Sequence, residues 1–349
     1  MHQPTHASIS LQDAPTTHRV ILADARHLDF LENESVHLAL TSPPYWNLKR
    51  YNENPAQLGH IQDYEEFLAQ LTQVWKHVYR VLVPGGRLVC VVGDVCLSRR
   101  RYGRHVVFPL HSDIAVICRK IGFDNLNPII WHKIANANYE VNNGTRFLGK
   151  PYEPNAIIKN DIEFILMQRK PGGYRRPTPE QRALSMISKE EYDAWFRQFW
   201  TIGGASTRHH PAPFPLELAT RLVRMFSFFG DTVLDPFCGT GTTALAALNT
   251  GRHSIAVDID PEYCRMTADR LRAETSTLFS RARLILQRID PGPSGHTTLR
   301  EAPPDYSTSP AVPAKPEAEL PSKKGKAKHP TRASPLGRKA ALQATSQED

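Results

Sequence analysis

Thr232-Val233-Leu234-Asp235-Pro236-Phe237-Cys238-Gly239-Thr240-Gly241-Thr242-Thr243 is the stretch on which the fold turns. Thr232–Asp235 is a short apolar run ending in a carboxylate, and Gly239-Thr240-Gly241 opens the helical stretch Thr242–Thr250. The pattern predicts strand, turn and helix. Glycines at such a turn let the backbone approach a ligand closely, and the helix N-terminus presents free N–H groups. A second predicted strand, Ser254–Asp258, ends in Asp258, nineteen positions after Gly239, where an acid can hold a ribose diol. Together these features describe an adenosine site. A nicotinamide dinucleotide would call for a third glycine that is absent, while another nucleotide and a purely structural turn stay open as readings.

Outward from this stretch, short apolar runs alternate with amphipathic ones, which predicts an α/β fold of parallel strands crossed by helices. Seven strands are expected: Val20–Ala23, Val36–Thr41, Arg87–Val92, Pro128–Trp131, Glu163–Gln168, Thr232–Asp235 and Ser254–Asp258. In Tyr64–Leu82, residues Phe67, Leu68, Leu71, Val74, Trp75 and Val78 share one helical face, and Pro84-Gly85-Gly86 ends the helix. A further helix is expected over Leu216–Phe228.

The bulk composition bounds the function without deciding it. With 349 residues, 40% hydrophobic and 22% charged, the chain has the usage of a globular protein. Its net charge of +8 suits a polyanionic partner, although the tail from Lys323 to Lys339 holds seven Lys and Arg and no acid. That tail reads as a solvated arm, either adventitious or a non-specific DNA tether. The cysteines Cys90, Cys96, Cys118, Cys238 and Cys264 form no CxxC pair, so buried free thiols are expected, with neither a zinc site nor a disulfide framework. No run approaches the length of a membrane span and no signal-peptide core is evident, so a cytoplasmic, nucleoid-associated protein is expected.

Thr41-Ser42-Pro43-Pro44-Tyr45-Trp46 follows directly on the strand Val36–Leu40. The prolines stiffen a loop at the strand end and donate no backbone hydrogen bonds, so their carbonyls remain as acceptors beside the Ser42 hydroxyl. A planar base bearing an amino group could donate to them while stacking on Tyr45, a contact of about 1–3 kcal/mol. A rigid surface turn is the plainer alternative.

With both motifs in one chain, residues 18–275 resemble the DNA amino-methyltransferases, the N4-cytosine and N6-adenine family of restriction-modification systems. Ser42–Tyr45 matches the family's catalytic motif and Phe237–Gly241 its cofactor motif. The catalytic motif comes first, which is the order of the permuted β group. The resemblance implies a Rossmann-like, circularly permuted seven-stranded methyltransferase fold with rim insertions for DNA recognition, and S-adenosylmethionine as cofactor. It implies catalytic roles for Ser42, Pro43, Pro44 and Tyr45. It implies cofactor contacts from Asp24, Phe214, Pro215, Asp235, Phe237, Cys238, Gly239, Thr240, Gly241 and Asp258. The segment His210–Pro215 resembles the one that closes over the cofactor, and Asp24 the acid near the adenine.

On this reading residues 1–17 are a disordered lead-in, 18–168 the catalytic half with insertions at 98–105 and 132–154, and 169–210 a candidate target-recognition region. Residues 211–290 form the cofactor-binding half and 291–349 a disordered basic tail. Arg99, Arg100, Arg101 and Arg104, with Arg175, Arg176, Arg182 and Arg208, are the candidate contacts to double-stranded DNA, each cluster with a solvated charged face as its alternative. Ser42, where adenine enzymes usually carry Asp, favours cytosine N4 over adenine N6. The cytosine-C5 class needs a Pro-Cys nucleophile, and no cysteine here follows a proline. Relatives acting on protein glutamine or RNA usually place the cofactor motif first, and a non-catalytic DNA-binding module would not need both motifs intact. A restriction endonuclease as partner, and monomer against homodimer, are left open.

Overall fold

The computed structural model describes residues 14–48, 54, 56–133, 158, 160–204, 214–276, 280–291 and 297–301. Their frame is one ten-stranded sheet. Six strands lie side by side and parallel, in the spatial order β11 (Arg283–Pro291), β1 (Thr17–Leu22), β10 (His253–Asp258), β9 (Thr232–Asp235), β2 (Val36–Thr41) and β3 (Leu82–Val92). Beyond β3 come β7 (Ile162–Arg169), antiparallel to it, then β6 (Asp124–His132) and the two-residue β8 (Phe199–Trp200). β12 (Thr297–Glu301) closes the other side, antiparallel to β11.

All seven expected strands are present, and β8, β11 and β12 lengthen the sheet at its margins. These three escape the periodicity rule because they lie at the sides, where alternation of apolar residues is weak. Ordered packing among the described residues already includes Ala14, ahead of residue 18. Ala14 and Thr16 are buried, and the Thr16 hydroxyl meets His18 Nε2 at 2.8 Å, so short polar residues complete this end of β1. β1 inserts between β10 and β11, pairing His18 with Ser254 across 236 residues of sequence.

Successive residues of each parallel strand face opposite sides, and both sides are covered, which is why these strands read as almost continuously apolar. On one side α1 (Tyr64–Val81) and α3 (Leu110–Ile121) bury Phe67, Leu71, Trp75 and Ile114 against Ala39, Leu234 and Ile255. On the other, α6 (Leu216–Phe226) buries Leu218 and Leu222 against Leu38, Leu40 and Val233. There α7 (Thr242–Asn249) and α8 (Pro261–Thr275) pack on Val20 and Ala256. Asp63 caps α1 through the Glu66 N–H at 2.8 Å.

The segment 98–105 is the tip of a hairpin, β4 (Val95–Leu97) paired with β5 (Val106–Phe108), with the helical turn α2 (Arg99–Tyr102) inside it. It follows the carboxyl end of β3. The segment 170–198 lies elsewhere. β7 runs antiparallel to β3, so Arg169 pairs with Arg87 at the amino end of the parallel strands, and the chain leaves the sheet there. Its short helices α4 (Pro179–Ser185) and α5 (Lys189–Trp195), each with a capping box, dock near the C-terminal end of α6 through Gln181 to the Phe229 carbonyl and Arg224 to Glu191.

At this amino edge Arg175 grips Asp231, which is 1% exposed, with both guanidinium nitrogens on the two carboxylate oxygens, the second at 2.6 Å. Removing one partner of a buried pair leaves an uncompensated charge, at a cost of about 3–5 kcal/mol. Arg175→Ala is therefore expected to lose that much in urea unfolding, and a loss below about 1 kcal/mol would put the pair in the class of exposed, screened contacts.

Candidate active site

β2 and β9 are neighbours whose following connections lead to opposite directions in the sheet, β2 to β3 and β9 to β10. Such a switch point opens a crevice at the carboxyl ends of the strands. Both motifs sit at that crevice. The Thr41 hydroxyl, at the end of β2, donates to Asp235 Oδ1 at 2.6 Å, and the Phe237 N–H donates to the same oxygen at 3.1 Å. Burial pushes the Asp235 carboxyl up to about 6, against the opposing hydrogen bonds of Thr41, Thr243 and the Phe237 N–H.

The turn after β9 is shaped by what it must avoid. Gly241 is the N-cap of α7 with φ 78°, and a Cβ there would lie 2.5 Å from the Thr267 side chain. Only glycine combines that backbone with that clearance. The Gly239 N–H donates to Asp258 Oδ2 and the Asp260 N–H to Asp258 Oδ1, both at 2.9 Å. Burial is the main cause that raises the Asp258 carboxyl to about 7, and the charges of Asp260 and Asp235 add to it. Arg270 ties the turn down through the Thr240 carbonyl at 2.5 Å.

A cavity at this edge is lined by Asp24, Ser42, Pro44, Leu58, Gly59, Pro236, Phe237, Gly239, Asp258, Ile259 and Tyr263, among others. It joins the two motifs in one space. Asp24 is held by Arg26, whose N–H and guanidinium both reach its carboxylate. Phe237 stands edge-on to the buried Trp75 with ring centroids 6.3 Å apart. Trp46, directly after the tetrapeptide, has φ 47°, a conformation that costs a bulky residue energy. Its ring is 4% exposed and packs on Phe108 at 5.0 Å and Tyr64 at 5.2 Å, which offsets the strain and fixes the loop.

The N6/N4 DNA methylase family profile matches residues 36–269, two thirds of the sequence. The chain belongs to the N6/N4 DNA methylase family. It is 40% identical over 278 residues to the type II methyltransferase M.MjaI of Methanocaldococcus jannaschii, covering 71% of this chain and 89% of that one. TTHA0409 of Thermus thermophilus, solved in complex with S-adenosyl-L-methionine, superposes with a TM-score of 0.63 at 54% identity, covering 76% of this chain and 97% of that one. The PvuII DNA methyltransferase (cytosine-N4-specific) shares the fold, with a TM-score of 0.54 at 18% identity over 78% of this chain and 97% of that one.

In this methylase, Ser42, Pro44, Asp24, Phe237, Gly239 and Asp258, all candidates from the sequence, line the cavity. Others act from behind it. Asp235 holds Thr41, Thr240 receives Arg270, Gly241 starts α7, and the buried Cys238 lies in the core under α7 and α8. Phe214 packs against the α6 side of the sheet and Pro215 caps α6. Tyr45 donates its hydroxyl proton to Glu163 Oε2 and accepts from the Ser42 hydroxyl. Arg99, Arg100 and Arg104 are exposed on the hairpin. Arg208 and the Arg101 side chain lie outside what the structure describes.

Arg175 departs from the expected DNA contact because Asp231 engages its guanidinium, and Arg176 and Arg182 share its amino-edge position, away from Ser42. Sequence reasoning missed Arg26, Tyr263 and Glu163. Only Glu163 left a trace, as a lone acid beside the apolar run 164–167.

Because the Asp235 carboxyl is raised in the folded state, its contribution to stability is present below the usual carboxylate range and is lost as pH rises through about 6. Thr41 counters that loss by bonding the ionised form. Thr41→Val should cost about 1–3 kcal/mol at pH 8, where Asp235 is charged, and distinctly less at pH 5. Urea unfolding at the two pH values checks this, and equal losses would assign the Thr41 contribution to packing alone.

Proposed function

We propose that this chain transfers a methyl group from S-adenosylmethionine to the exocyclic N4 amino group of cytosine in duplex DNA. The observation that carries the reading is that Ser42 and Pro44 share one cavity with Gly239 and Asp258, so an amino group held by the first motif faces a ligand held by the second. The donor set fits S-adenosylmethionine: Asp258 can accept from a ribose diol, and the apolar walls of Pro236, Phe237 and Ile259 suit an adenine. Acids beside this cavity also suit a cationic ligand. S-adenosylmethionine supplies a methyl group on a sulfonium, an electrophile that needs no metal or enzyme nucleophile.

The chain's own task is then positioning. The target base lies inside the duplex and has to be flipped out, at a cost of a few kcal/mol that stacking on Tyr45 offsets. The Ser42 hydroxyl and Pro43 carbonyl accept hydrogen bonds from the amino group and draw its lone pair out of conjugation. A neutral serine in place of an aspartate supports cytosine over adenine. Target recognition belongs to segments rooted at the carboxyl edge. The insertion between β6 and β7 starts and ends there, where the Lys133 N–H meets the Asp161 carbonyl at 2.9 Å. Trp200, which ends β8 parallel to β6, and Pro215, which caps the start of α6, stand at the same edge.

Labelling duplex DNA with methyl-labelled cofactor and resolving the nucleosides is expected to give N4-methylcytosine. N6-methyladenine would overturn the base assignment, and absence of label from DNA the substrate class. Tyr45→Ala should lower turnover at least tenfold while S-adenosylmethionine still binds, on the scale of one lost stacking contact. The β4–β5 hairpin stands at the same edge as Ser42, so Arg99, Arg100 and Arg104 can meet phosphates. Replacing all three by Ala should reduce the salt-dependence slope of DNA binding by about three units and leave the methylated sequence unchanged. An unaltered slope would make the hairpin a solvated face.

A further inference from the structure

A serine hydroxyl can donate or accept, and only an acceptor serves an amino group being methylated. What decides the role of Ser42 is where its own proton goes. The Ser42 hydroxyl donates to the Tyr45 hydroxyl at 3.4 Å, and Tyr45 in turn donates to Glu163 Oε2 at 3.2 Å, with the Val91 carbonyl at 3.4 Å as a second acceptor. A carbonyl and an ionised carboxylate can only accept. The Tyr45 proton is therefore drawn away from Ser42, and the serine is left to donate toward the tyrosine.

Glu163 is built into this position. Its other oxygen, Oε1, receives the Lys133 ammonium, and both side chains are 15% exposed, so the pair is sheltered and its charges balance. Lys133 is itself held 4.3 Å over the centre of the buried Trp131 ring. Gly93 clears the meeting point: a Cβ there would lie 3.2 Å from Glu163 Cγ and 3.3 Å from Tyr45 Cε2.

We infer that Glu163, held by Lys133, sets the direction of the hydrogen-bond chain from Ser42 through Tyr45 and so makes Ser42 an obligate acceptor toward the substrate amino group. This rests on the methyl-transfer reading, but not on which base is methylated. An aspartate at position 42 would be an acceptor unaided; a serine needs a neighbour to fix its polarity. Glu163 acts through Tyr45 and is a positioning residue.

Glu163→Gln tests this with almost no change of shape. Lys133 keeps the amide oxygen on its side, which turns the NH2 toward Tyr45 and removes the tyrosine's charged acceptor; only the Val91 carbonyl at 3.4 Å then competes with Ser42 for the Tyr45 proton, and the Ser42 proton is released toward the substrate. The expected result is a kcat lowered about ten- to hundredfold, the weight of one hydrogen bond to a charged group, with cofactor affinity and the KM for DNA changed less than about threefold. Glu163→Leu leaves the Val91 carbonyl as acceptor and should be the milder change once cofactor binding shows it folded. In a Ser42→Asp background, Glu163→Gln should change kcat less than about threefold, since the carboxylate accepts regardless.

Full kcat in Glu163→Gln, an equal loss in both backgrounds, or a greater loss in folded Glu163→Leu would each overturn the inference. If Ser42→Asp is inactive, the order of the Gln and Leu variants decides. A wild-type enzyme that labels no DNA would instead overturn the methyl-transfer reading itself, whereas wild-type activity with an unaffected Glu163→Gln overturns only the role of Glu163.

Discussion

The hydrogen bond from Thr41 to Asp235 joins residues 194 positions apart and holds together the two halves of the site. Thr41 is the last residue of β2 and Asp235 the last of β9, so the bond closes the sheet at the point where strand order reverses. A carboxylate buried there is costly unless it is hydrogen-bonded, and two of its donors launch the two functional loops. Thr41 precedes Ser42, and the Phe237 N–H belongs to the glycine turn. Moving either loop would break a bond to Asp235, so that carboxylate sets their relative position.

The same constraint explains why motif order along the chain is free to vary. A parallel sheet gathers the carboxyl ends of its strands on one edge whatever their order in sequence, and only neighbours across the sheet matter to the crevice. In this chain β1 supplies a strand between β10 and β11, and its carboxyl end leads to Asp24 on the cavity wall. The residues on either side of the cavity therefore come from the early and the late described parts of the chain. Docking α1 through Trp75 against Phe237 adds a second tie between the halves.

What the sequence made legible was chemistry that depends on local spacing. The glycine turn, the acid ending β10 and the proline loop ending β2 each lie within one strand and its following loop, and each is where its pattern places it. Long-range partners were not legible. Arg175 and Arg99 look alike in sequence as members of arginine clusters, yet one is held by a buried carboxylate and the other stands exposed on a hairpin. That difference is decided by β7 running antiparallel, which returns the chain to the amino edge before residue 170. Cys238 is similar: its motif position implies the cavity, but alternation along the turn sends its side chain into the core beneath α7.

Electrostatics divides the carboxyl edge into two zones with opposite requirements. The cavity wall holds Asp258, which accepts from two backbone N–H groups, and Asp24, already paired with Arg26, with Asp235 behind them, whereas DNA needs cations. Arginines on the β4–β5 hairpin lie outside the cavity, so the phosphate contacts proposed for them would not interfere with retention of the cofactor. The tetrapeptide stands between the zones and carries no charge of its own. On the proposed reading its acceptor character comes from orientation, through prolines that expose carbonyls and a hydroxyl whose proton goes to Tyr45. A charged aspartate at position 42 would bring a further carboxyl to a wall that already holds Asp258 and the Arg26-paired Asp24. A serine adds no charge there, and the acid inferred to orient it, Glu163, stands behind Tyr45 and is paired with Lys133.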